Sequence, residues 1–291
     1  MQISVLGTGL LGSEIAIRLK EQGFTVSAWN RTAGKAAPLA TVGIRLPDTA
    51  AAALADADLV LLLLADAPAI EATLFAADTE PALAGRTIVQ MGTIAPTESQ
   101  ALAARVADAG AAYLEAPVLG SLPEARAGKL LVMAGGDAVL YRRCLPVFEA
   151  LSHEPRHIGV IGQAAALKLA MNQLIAGLTA TFSLSLGLVR RAGLDVEQFM
   201  GVLRGSALYA PTFDKKLDKY LQHDYAGANF PLKHLLKDVR LMQGVMGEAG
   251  LDTGLLDAVV TAADRAIESG YGDADYSALY EALTQAPGAG S

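Results

Sequence analysis

A lysine and an asparagine, Lys168 and Asn172, stand four residues apart in an apolar stretch that begins after Gly162. The spacing predicts that both side chains share one face of a helix, because residues at i and i+4 are helical neighbours. A lysine ammonium group can act as a general acid, and an amide can orient it or a ligand. A helical lysine more often extends into water, and asparagine is common at surfaces, so the pair alone does not establish a site.

A glycine-rich turn follows the first predicted strand, residues 3–6, and precedes a predicted helix that ends at Gly23. Its sequence, G-T-G-L-L-G, has the G-x-G-x-x-G pattern that binds dinucleotides when it lies between a strand and a helix. The first glycine permits the tight turn, the second lets the backbone approach a pyrophosphate, and the third lets helix and strand pack closely. The pyrophosphate would lie at the positive end of the helix. We therefore assign cofactor binding to Gly7, Thr8, Gly9, Leu10, Leu11 and Gly12.

At the end of the next predicted strand, residues 25–29, the chain reads Asn30-Arg31-Thr32. A site for NAD places a carboxylate here to hold the ribose 2′-hydroxyl. A carboxylate would repel a 2′-phosphate, whereas an arginine pairs with it through two parallel hydrogen bonds and stacks on the adenine. The sequence therefore predicts NADPH rather than NADH, with Arg31 as the main determinant and Asn30 and Thr32 as hydrogen-bonding support.

Composition and charge exclude several classes of protein. Hydrophobic residues make up 52% of the 291 residues, which is enough to build one or two domains with a core. The net charge of −7 argues against a nucleic-acid partner, which ordinarily meets a basic surface. The single cysteine, Cys144, fits a reducing compartment, no targeting segment is visible, and the longest aliphatic run, 59–64, is too short to cross a membrane. We expect a cytoplasmic protein without a membrane partner, and the scattered histidines predict no metal site.

Strand and helix patterns alternate through the first half of the chain. Further strands are predicted at 42–46, 59–64, 87–91, 113–116, 130–134 and 157–158, and helices at 49–57, 96–109 and 137–151. This alternation predicts a mostly parallel, doubly wound α/β sheet with helices on both faces. Ligands bind at the carboxyl ends of such strands, so Leu64, Ala65 and Asp66 become cofactor candidates. In the loop at 115–121, the N–H groups near Gly120 and the Ser121 hydroxyl suit a carboxylate, although an ordinary turn has the same composition.

After Gly162 the pattern becomes helical throughout. A long helix is predicted at 163–191, hydrophobic almost all round, which favours burial against other elements or another chain. Shorter helices are predicted at 195–203, 213–221, 231–248, 253–269 and 276–284. We therefore expect a dinucleotide-binding domain at 1–162, an all-helical domain at 163–286, a disordered tail at 287–291, and an active site where the domains meet. Lys237 would add positive charge for a phosphorylated cofactor and an acid substrate.

Six motifs in order resemble those of the β-hydroxyacid dehydrogenases, the group of 3-hydroxyisobutyrate dehydrogenase, and within it the glyoxylate/succinic semialdehyde reductases. They are G-T-G-L-L-G at 7–12, W-N-R-T at 29–32, M-G-T at 91–93, E-A-P-V-L-G-S at 115–121, G-Q-A-A-A-L-K-L-A-M-N at 162–172 and F-P-L-K-H-L-L-K-D at 230–238. The resemblance extends from Met1 to about residue 283. It implies a Rossmann domain joined by a long helix to an all-α domain, assembled as a homodimer or homotetramer.

The resemblance also implies individual roles. Lys168 is the implied catalytic lysine, which gives a proton to the carbonyl oxygen while NADPH gives a hydride to the carbon, and Asn172 orients the substrate. The loop at 117–121 is implied to bind the substrate carboxylate through Val118, Leu119, Gly120 and Ser121. Thr93 and Lys237 are implied to contact the cofactor, and Phe230 and Asp238 to lie near the closed site. The expected activity is NADPH-dependent reduction of a small aldehyde acid, with the physiological substrate and the direction in the cell left open.

One position departs from the family pattern. The family loop usually reads P-V-S-G, and Leu119 takes the place of the serine that contacts the carboxylate. The loss of one hydrogen bond to a charged group costs roughly 1.5–3 kcal/mol, on the order of ten- to a hundredfold in affinity. A less polar carbonyl or an imine is therefore the alternative substrate, although imine reductases usually replace the lysine that this chain keeps. A non-catalytic NADP(H)-binding assembly protein is the minor alternative.

Overall fold

The structure is a computed structural model that describes residues 1–285. The chain forms two compact units, the first comprising Met1–Leu169 and the second beginning at Ala170. The division falls inside one long helix rather than in a linker. The predicted tail at 287–291, and residue 286 at the end of the predicted helical domain, lie outside the described residues.

The first unit is built on a single sheet. Within residues 1–285, its eight strands are β1 (Gln2–Leu6), β2 (Thr25–Trp29), β3 (Leu59–Leu62), β4 (Thr87–Gln90), β5 (Ala112–Glu115), β6 (Val118–Leu119), β7 (Leu131–Gly135) and β8 (Arg156–Gly159). The order is β2-β1-β3-β4-β5-β7-β6, and β8 also pairs with β7. Strands β2, β1, β3, β4 and β5 are parallel, whereas β7 runs antiparallel to β5 and β6. The strand order reverses beside β1, which is the point where open α/β sheets form a ligand crevice.

Helices cover both faces of this sheet. They are α1 (Leu10–Glu21), α2 (Ala33–Ala36), α3 (Ala50–Ala55), α4 (Ala67–Leu74), α5 (Pro96–Asp108), α6 (Leu122–Ala127) and α7 (Ala138–Leu151), with 3-10 turns at Ala37–Val42 and Glu80–Leu83. Alternate strand residues enter two separate cores, because successive side chains of a strand point to opposite faces. Val5 and Leu61 lie in the core that contains α1 and α7, whereas Leu6 and Leu62 lie in the core that contains α4 and α5.

The strand predicted at 42–46 is wrong. Residues up to Val42 form the 3-10 turn, which ends at Gly43 with a left-handed φ of 76°. Only an isolated bridge between Arg45 and Ser27 continues the sheet there. Since Pro47 follows at once and has no N–H to donate, the segment is too short for a full strand.

The second unit is helical throughout its described part. Helix α8 (Gln163–Arg191) begins in the first unit and continues into the second, and it is followed by α9 (Val196–Arg204), α10 (Pro211–Gln222), α11 (Leu232–Glu248), α12 (Gly254–Ala266) and α13 (Leu279–Thr284). A π turn at Ile267–Tyr271 and a 3-10 turn at Tyr276–Ala278 connect the last two helices. Its core contains stacked Phe182 and Phe213, with ring centroids 4.5 Å apart. Lys216 and Asp275 form a buried ion pair, with Lys216 Nζ 2.7 Å from Asp275 Oδ2.

Helix α8 agrees with its predicted bounds. By length and composition alone it could cross a membrane, and half of its most apolar window is buried within the protein. No charged residue lies between Lys168 and Arg190, yet Leu174, Leu184 and Leu188 are exposed by 52%, 53% and 70%. The apolar face of α8 is thus only partly covered by the part of the chain that the structure describes.

Candidate active site

The glycine-rich turn links β1 to α1 at the carboxyl edge of the sheet. Gly7 has a φ of 102°, and a Cβ atom on it would lie 2.4 Å from the Leu63 carbonyl oxygen. A Cβ on Gly12 would lie 1.9 Å from the Gly7 carbonyl oxygen. Gly7 is therefore required by the packing of the turn against the loop after β3, and Gly12 by the packing of α1 against the turn itself.

Gly9 has no comparable packing reason to be glycine. A Cβ built on it meets no atom within 4 Å among the described residues. Gly9 is the N-cap of α1, and the first turn of that helix carries no acidic side chain. The space beside Gly9 and the positive end of α1 fit the pyrophosphate of a dinucleotide.

Asn30, at the end of β2, is held by the turn itself. Its Oδ1 accepts a hydrogen bond from the Thr8 N–H at 3.1 Å, and its Nδ2 donates to the Thr32 carbonyl at 3.0 Å. Arg31 is exposed and makes no hydrogen bond or ion pair with any residue in the described range. The side chain of Asn30 thus shapes the loop, while the Arg31 guanidinium faces solvent where a 2′-phosphate was predicted.

The loop after β3 contacts the glycine-rich turn, and the loop after β4 contacts the loop after β3. A Cβ on Gly92, which precedes Thr93, would lie 2.8 Å from the Leu64 carbonyl oxygen, so the two loops are in close contact. Asp66 is the N-cap of α4, because its Oδ1 accepts a hydrogen bond from the Ala69 N–H at 2.9 Å. The cofactor candidates from β1, β3 and β4 therefore lie along one edge of the sheet, with Asp66 engaged in capping.

The loop predicted to bind the substrate carboxylate contains a short strand. Val118 and Leu119 form β6, in which Leu119 pairs with Leu131 of β7. Gly120 has a φ of 128°, so a side chain there would be strained. Ser121 donates hydrogen bonds to Glu124 Oε2 from both its N–H at 2.8 Å and its Oγ at 2.7 Å. The two Ser121 donors expected for a substrate are thus occupied by a carboxylate of the protein.

Sequence reasoning also missed the role of Glu115. This side chain ends β5 and is 1% exposed. Its Oε1 accepts hydrogen bonds from the N–H groups of Gly162 at 2.8 Å, Ala164 at 2.8 Å and Ala165 at 3.2 Å. These donors lie at the start of α8, the helix that carries Lys168. No local pattern could reveal the contact, because its partners are 47 to 50 residues away.

A hydrogen-bond chain leads away from the other oxygen of Glu115. Ser99 Oγ donates to Glu115 Oε2 at 2.5 Å, and it lies 3.0 Å from the Tyr113 hydroxyl. Since the Ser99 proton points to the carboxylate, Tyr113 is the donor to Ser99. Burial raises the pKa of Tyr113 far above its ordinary value. The phenol therefore keeps the proton that it donates to Ser99.

Lys168 itself is partly buried in the second turn of α8, within the first unit. Asn172 lies one turn further along and is 1% exposed. In the second unit its Nδ2 donates to Asp238 Oδ2 at 2.8 Å, and the Lys237 ammonium lies 2.9 Å from Asp238 Oδ1 as an ion pair. Asn172 Oδ1 is buried without a hydrogen-bond partner among the described residues. The contact with Asp238 thus fixes the direction of the amide and leaves its oxygen as an acceptor.

Phe230 lies in the same second unit, where its ring packs against Tyr276 with centroids 5.8 Å apart. Within residues 1–285, no group of three or more His, Cys, Asp or Glu side chains could hold a metal ion. The absence of a catalytic metal stays a prediction.

Comparison with known protein families decides the classification. Residues 2–162 match the family model described as the NAD binding domain of 6-phosphogluconate dehydrogenase. Residues 162–283 match a second family model, described as the NAD-binding region of NADP-dependent 3-hydroxyisobutyrate dehydrogenase. The chain belongs to the β-hydroxyacid dehydrogenase family. It is therefore an NAD(P)-dependent oxidoreductase, and the predicted fold class is confirmed.

Individual proteins similar to this chain agree with the family assignment of the chain. It is 31% identical over 98% of its length to glyoxylate/succinic semialdehyde reductase 2 of Arabidopsis thaliana, of which it covers 80%. The structure of Mycobacterium tuberculosis 3-hydroxyisobutyrate dehydrogenase superposes with a TM-score of 0.87 at 22% identity, over 98% of this chain and 99% of that one. A reductive aminase from Aspergillus terreus, in complex with NADPH and ethyl levulinate, superposes with a TM-score of 0.67 at 28% identity, over 96% and 98% of the two chains.

Proposed function

We propose that this protein is an NADPH-dependent reductase of small carbonyl compounds in which Lys168 donates the proton. The proposal is supported above all by the position of the start of α8. Glu115 holds that helix start at the carboxyl end of β5, the edge on which the glycine-rich turn also lies. Lys168 follows within two helical turns, so its ammonium group belongs to the edge where a dinucleotide would bind.

The bound cofactor would supply the hydride, and the chain supplies everything else. Gly9 and the N-terminus of α1 would hold the pyrophosphate, and Arg31 the 2′-phosphate. Lys168 would give its proton to the carbonyl oxygen as negative charge develops there, which lowers the barrier for reduction. Asn172, one turn further along α8, would orient Lys168 or the substrate.

An aldehyde acid is the first substrate class we propose. The support is the 31% identity to a glyoxylate/succinic semialdehyde reductase across nearly the whole chain. In this chain the Gly120 N–H is the donor that the 117–121 loop would offer to a carboxylate, because both donors of Ser121 bind Glu124.

An uncharged carbonyl or an imine is the second class, and the same loop favours it. Leu119 brings an apolar side chain where the family has a hydroxyl, and Glu124 brings a negative charge next to Ser121. A substrate carboxylate at this loop would meet like charge, whereas a neutral or cationic group would not. The similarity to a reductive aminase at 28% identity agrees with this alternative.

We also propose that the protein is a cytoplasmic homodimer in which a second copy covers the exposed face of α8. The support is the stretch between Lys168 and Arg190, which has no charge although several of its leucines are exposed. A helix face that meets water ordinarily carries polar and charged residues. A second copy has the same uncharged face and would complement it.

The test of the function is NADPH consumption with a panel of glyoxylate, succinic semialdehyde, an uncharged aldehyde and a cyclic imine, with NADH in parallel. The parent and Lys168→Ala are compared, with Lys20→Ala as a control that removes an exposed lysine near the end of α1. We expect turnover by the parent and by Lys20→Ala, and a loss of about 10²–10⁴-fold in kcat for Lys168→Ala. Activity of Lys168→Ala close to that of the parent would refute the assignment. NADPH binding without turnover of any substrate would favour the non-catalytic assembly protein.

A further inference from the structure

The Glu115 carboxylate is a cap for α8 that comes from a distant part of the chain. The first N–H groups of a helix have no acceptor within the helix and need one elsewhere. Glu115 Oε1 accepts from three N–H groups at that end, those of Gly162, Ala164 and Ala165. One side chain at the end of β5 thereby satisfies most of the first turn of α8.

The surroundings of this carboxylate are built to hold it in one place. It is 1% exposed, and among the described residues it has no cationic partner. A buried charge without a counter-ion depends on its hydrogen bonds, which here come from the helix start and from Ser99. A Cβ on Gly135 would lie 2.6 Å from Glu115 Oε1, so the backbone of β7 packs directly against the carboxylate.

A distant cap does something that a local cap cannot. Asp137 caps α7 through the N–H groups of Val139 and Leu140, at 2.9 and 2.8 Å, and so stabilises only the start of its own helix. Glu115 instead ties the start of α8 to the end of a strand. The next residues after that strand, 116–121, form the loop at which substrate binding is proposed.

The geometry points to Glu115 as the positioning residue for Lys168. Lys168 lies three residues beyond Ala165, roughly 4.5 Å along the helix axis. We propose that the bonds from Glu115 set the position of the first turns of α8, and hence of the Lys168 ammonium group, relative to the loop at 117–121. This inference rests on the proposed role of Lys168 as proton donor. A misplacement of about 1 Å can cost on the order of a hundredfold in rate.

Three substitutions separate the geometry of the cap from its charge. Glu115→Gln keeps an oxygen for the helix N–H groups, and its amide can donate to Ser99, but it removes the charge. Glu115→Asp keeps the charge and shortens the reach by one methylene, and Glu115→Ala removes both. Asp137→Ala is the matched control, because it removes a cap from a helix that does not carry Lys168.

The measurements are the NADPH dissociation constant, the single-turnover rate of hydride transfer with the best substrate of the panel, and the isotope effect on kcat with C4-deuterated NADPH. We expect Glu115→Asp and Glu115→Ala to slow hydride transfer by about ten- to a hundredfold, to raise the isotope effect, and to leave the dissociation constant within about twofold. Glu115→Gln should stay within about threefold of the parent rate. Amide hydrogen exchange should show loss of protection at 162–165 in Glu115→Ala but not in Asp137→Ala.

A folded Glu115→Ala or Glu115→Asp protein with the rate and isotope effect of the parent would overturn the inference. So would a Glu115→Gln protein as slow as Glu115→Ala, because the geometry of the cap would then not be what matters. If Glu115→Ala does not fold, Glu115→Asp and Glu115→Gln carry the test. Lys168→Ala, measured in the same series, keeps the two proposals apart, since full activity of that variant refutes the proposed function and not the role of Glu115 as a cap.

Discussion

Replacing Leu119 by serine should turn the substrate preference toward aldehyde acids. Leu119 lies in β6 opposite Leu131, directly before Gly120, whose φ is 128°. The substitution adds a hydroxyl donor to a loop whose Ser121 donors already bind Glu124. One new hydrogen bond to a substrate carboxylate contributes about 1.5–3 kcal/mol, so kcat/KM for an aldehyde acid should rise on the order of ten- to a hundredfold.

Glu124 opposes that gain through its charge. Two unit charges about 6 Å apart repel by roughly 3 kcal/mol at an effective dielectric constant of 20 and by less than about 1 kcal/mol in water. Glu124 is only half-buried and has a further interaction within the protein, so we take at most about 1 kcal/mol, a factor of about five. Glu124→Gln keeps an oxygen that can accept from the Ser121 N–H, and it should give this factor without a large loss of stability.

The assay is the ratio of kcat/KM for succinic semialdehyde to that for an uncharged aldehyde of similar size. The ratio removes effects on Lys168 and on the cofactor, which both substrates share. Leu131→Ser is the matched control, because it breaks the same cross-strand leucine pair without placing a hydroxyl in the 117–121 loop.

A ratio that rises less than about threefold in Leu119→Ser, or equally in Leu131→Ser, would refute the reasoning. The 117–121 loop would then not be where the substrate carboxylate binds. A high ratio already present in the parent would show that Leu119 and Glu124 do not exclude acids, and the aldehyde-acid assignment would stand without the loop argument.

Three further outcomes are expected. Arg31→Ala should lower the preference for NADPH over NADH by about ten- to a hundredfold, because it removes a charge-assisted bond to the 2′-phosphate. The preference is measured as the ratio of the kcat/KM values for the two cofactors. Lys35→Ala, which removes an exposed lysine nearby, should leave this ratio unchanged. Leu188→Glu should convert the proposed dimer to a monomer in size-exclusion chromatography with light scattering, whereas Leu255→Glu, at a position exposed by 51% on α12, should not. Burial raises the pKa of the Cys144 thiol from 9.0 to about 11. Its reaction with a disulfide reagent at pH 8 should therefore be about a hundredfold or more slower than in the unfolded chain. The free energy of unfolding of the parent, relative to that of Cys144→Ala, should fall as pH rises from 9 toward 11, because the thiol then ionises more readily in the unfolded chain than in the folded one.

The parts of the fold that could be predicted are those specified by local pattern. The strand, glycine turn and helix at the N-terminus, the buried aliphatic strand beginning at Leu59, and α8 all follow from periodicity and glycine placement. The error at 42–46 arose where an apolar run was too short, between Gly43 and Pro47, to pair fully with a neighbour. Local sequence cannot show that a run has only one bridge to the sheet.

In the candidate site, too, some features follow from local sequence and others only from the folded chain. The capping pair Ser121 and Glu124 is a local signal, since a serine followed three residues later by a glutamate begins many helices. Sequence reasoning interpreted Ser121 as a substrate ligand and so missed its partner. The contacts of Glu115 could not be read from any window, because helix start and strand end meet only in the folded chain.

The arrangement separates chemistry from specificity. The glycine-rich turn, Glu115 and the start of α8 are anchored on the parallel strands, where a change would disturb the core. Among residues 1–285, strand β6 pairs only with β7, through two residue pairs, and α6 follows it directly. Neither Leu119 nor Glu124 takes part in the bonds between Glu115 and the start of α8, so substitutions at 119 and 124 can change the chemistry of the loop while those bonds remain. The substrate class can thus differ from that of relatives with the same fold, although Lys168 and the glycine-rich turn are kept.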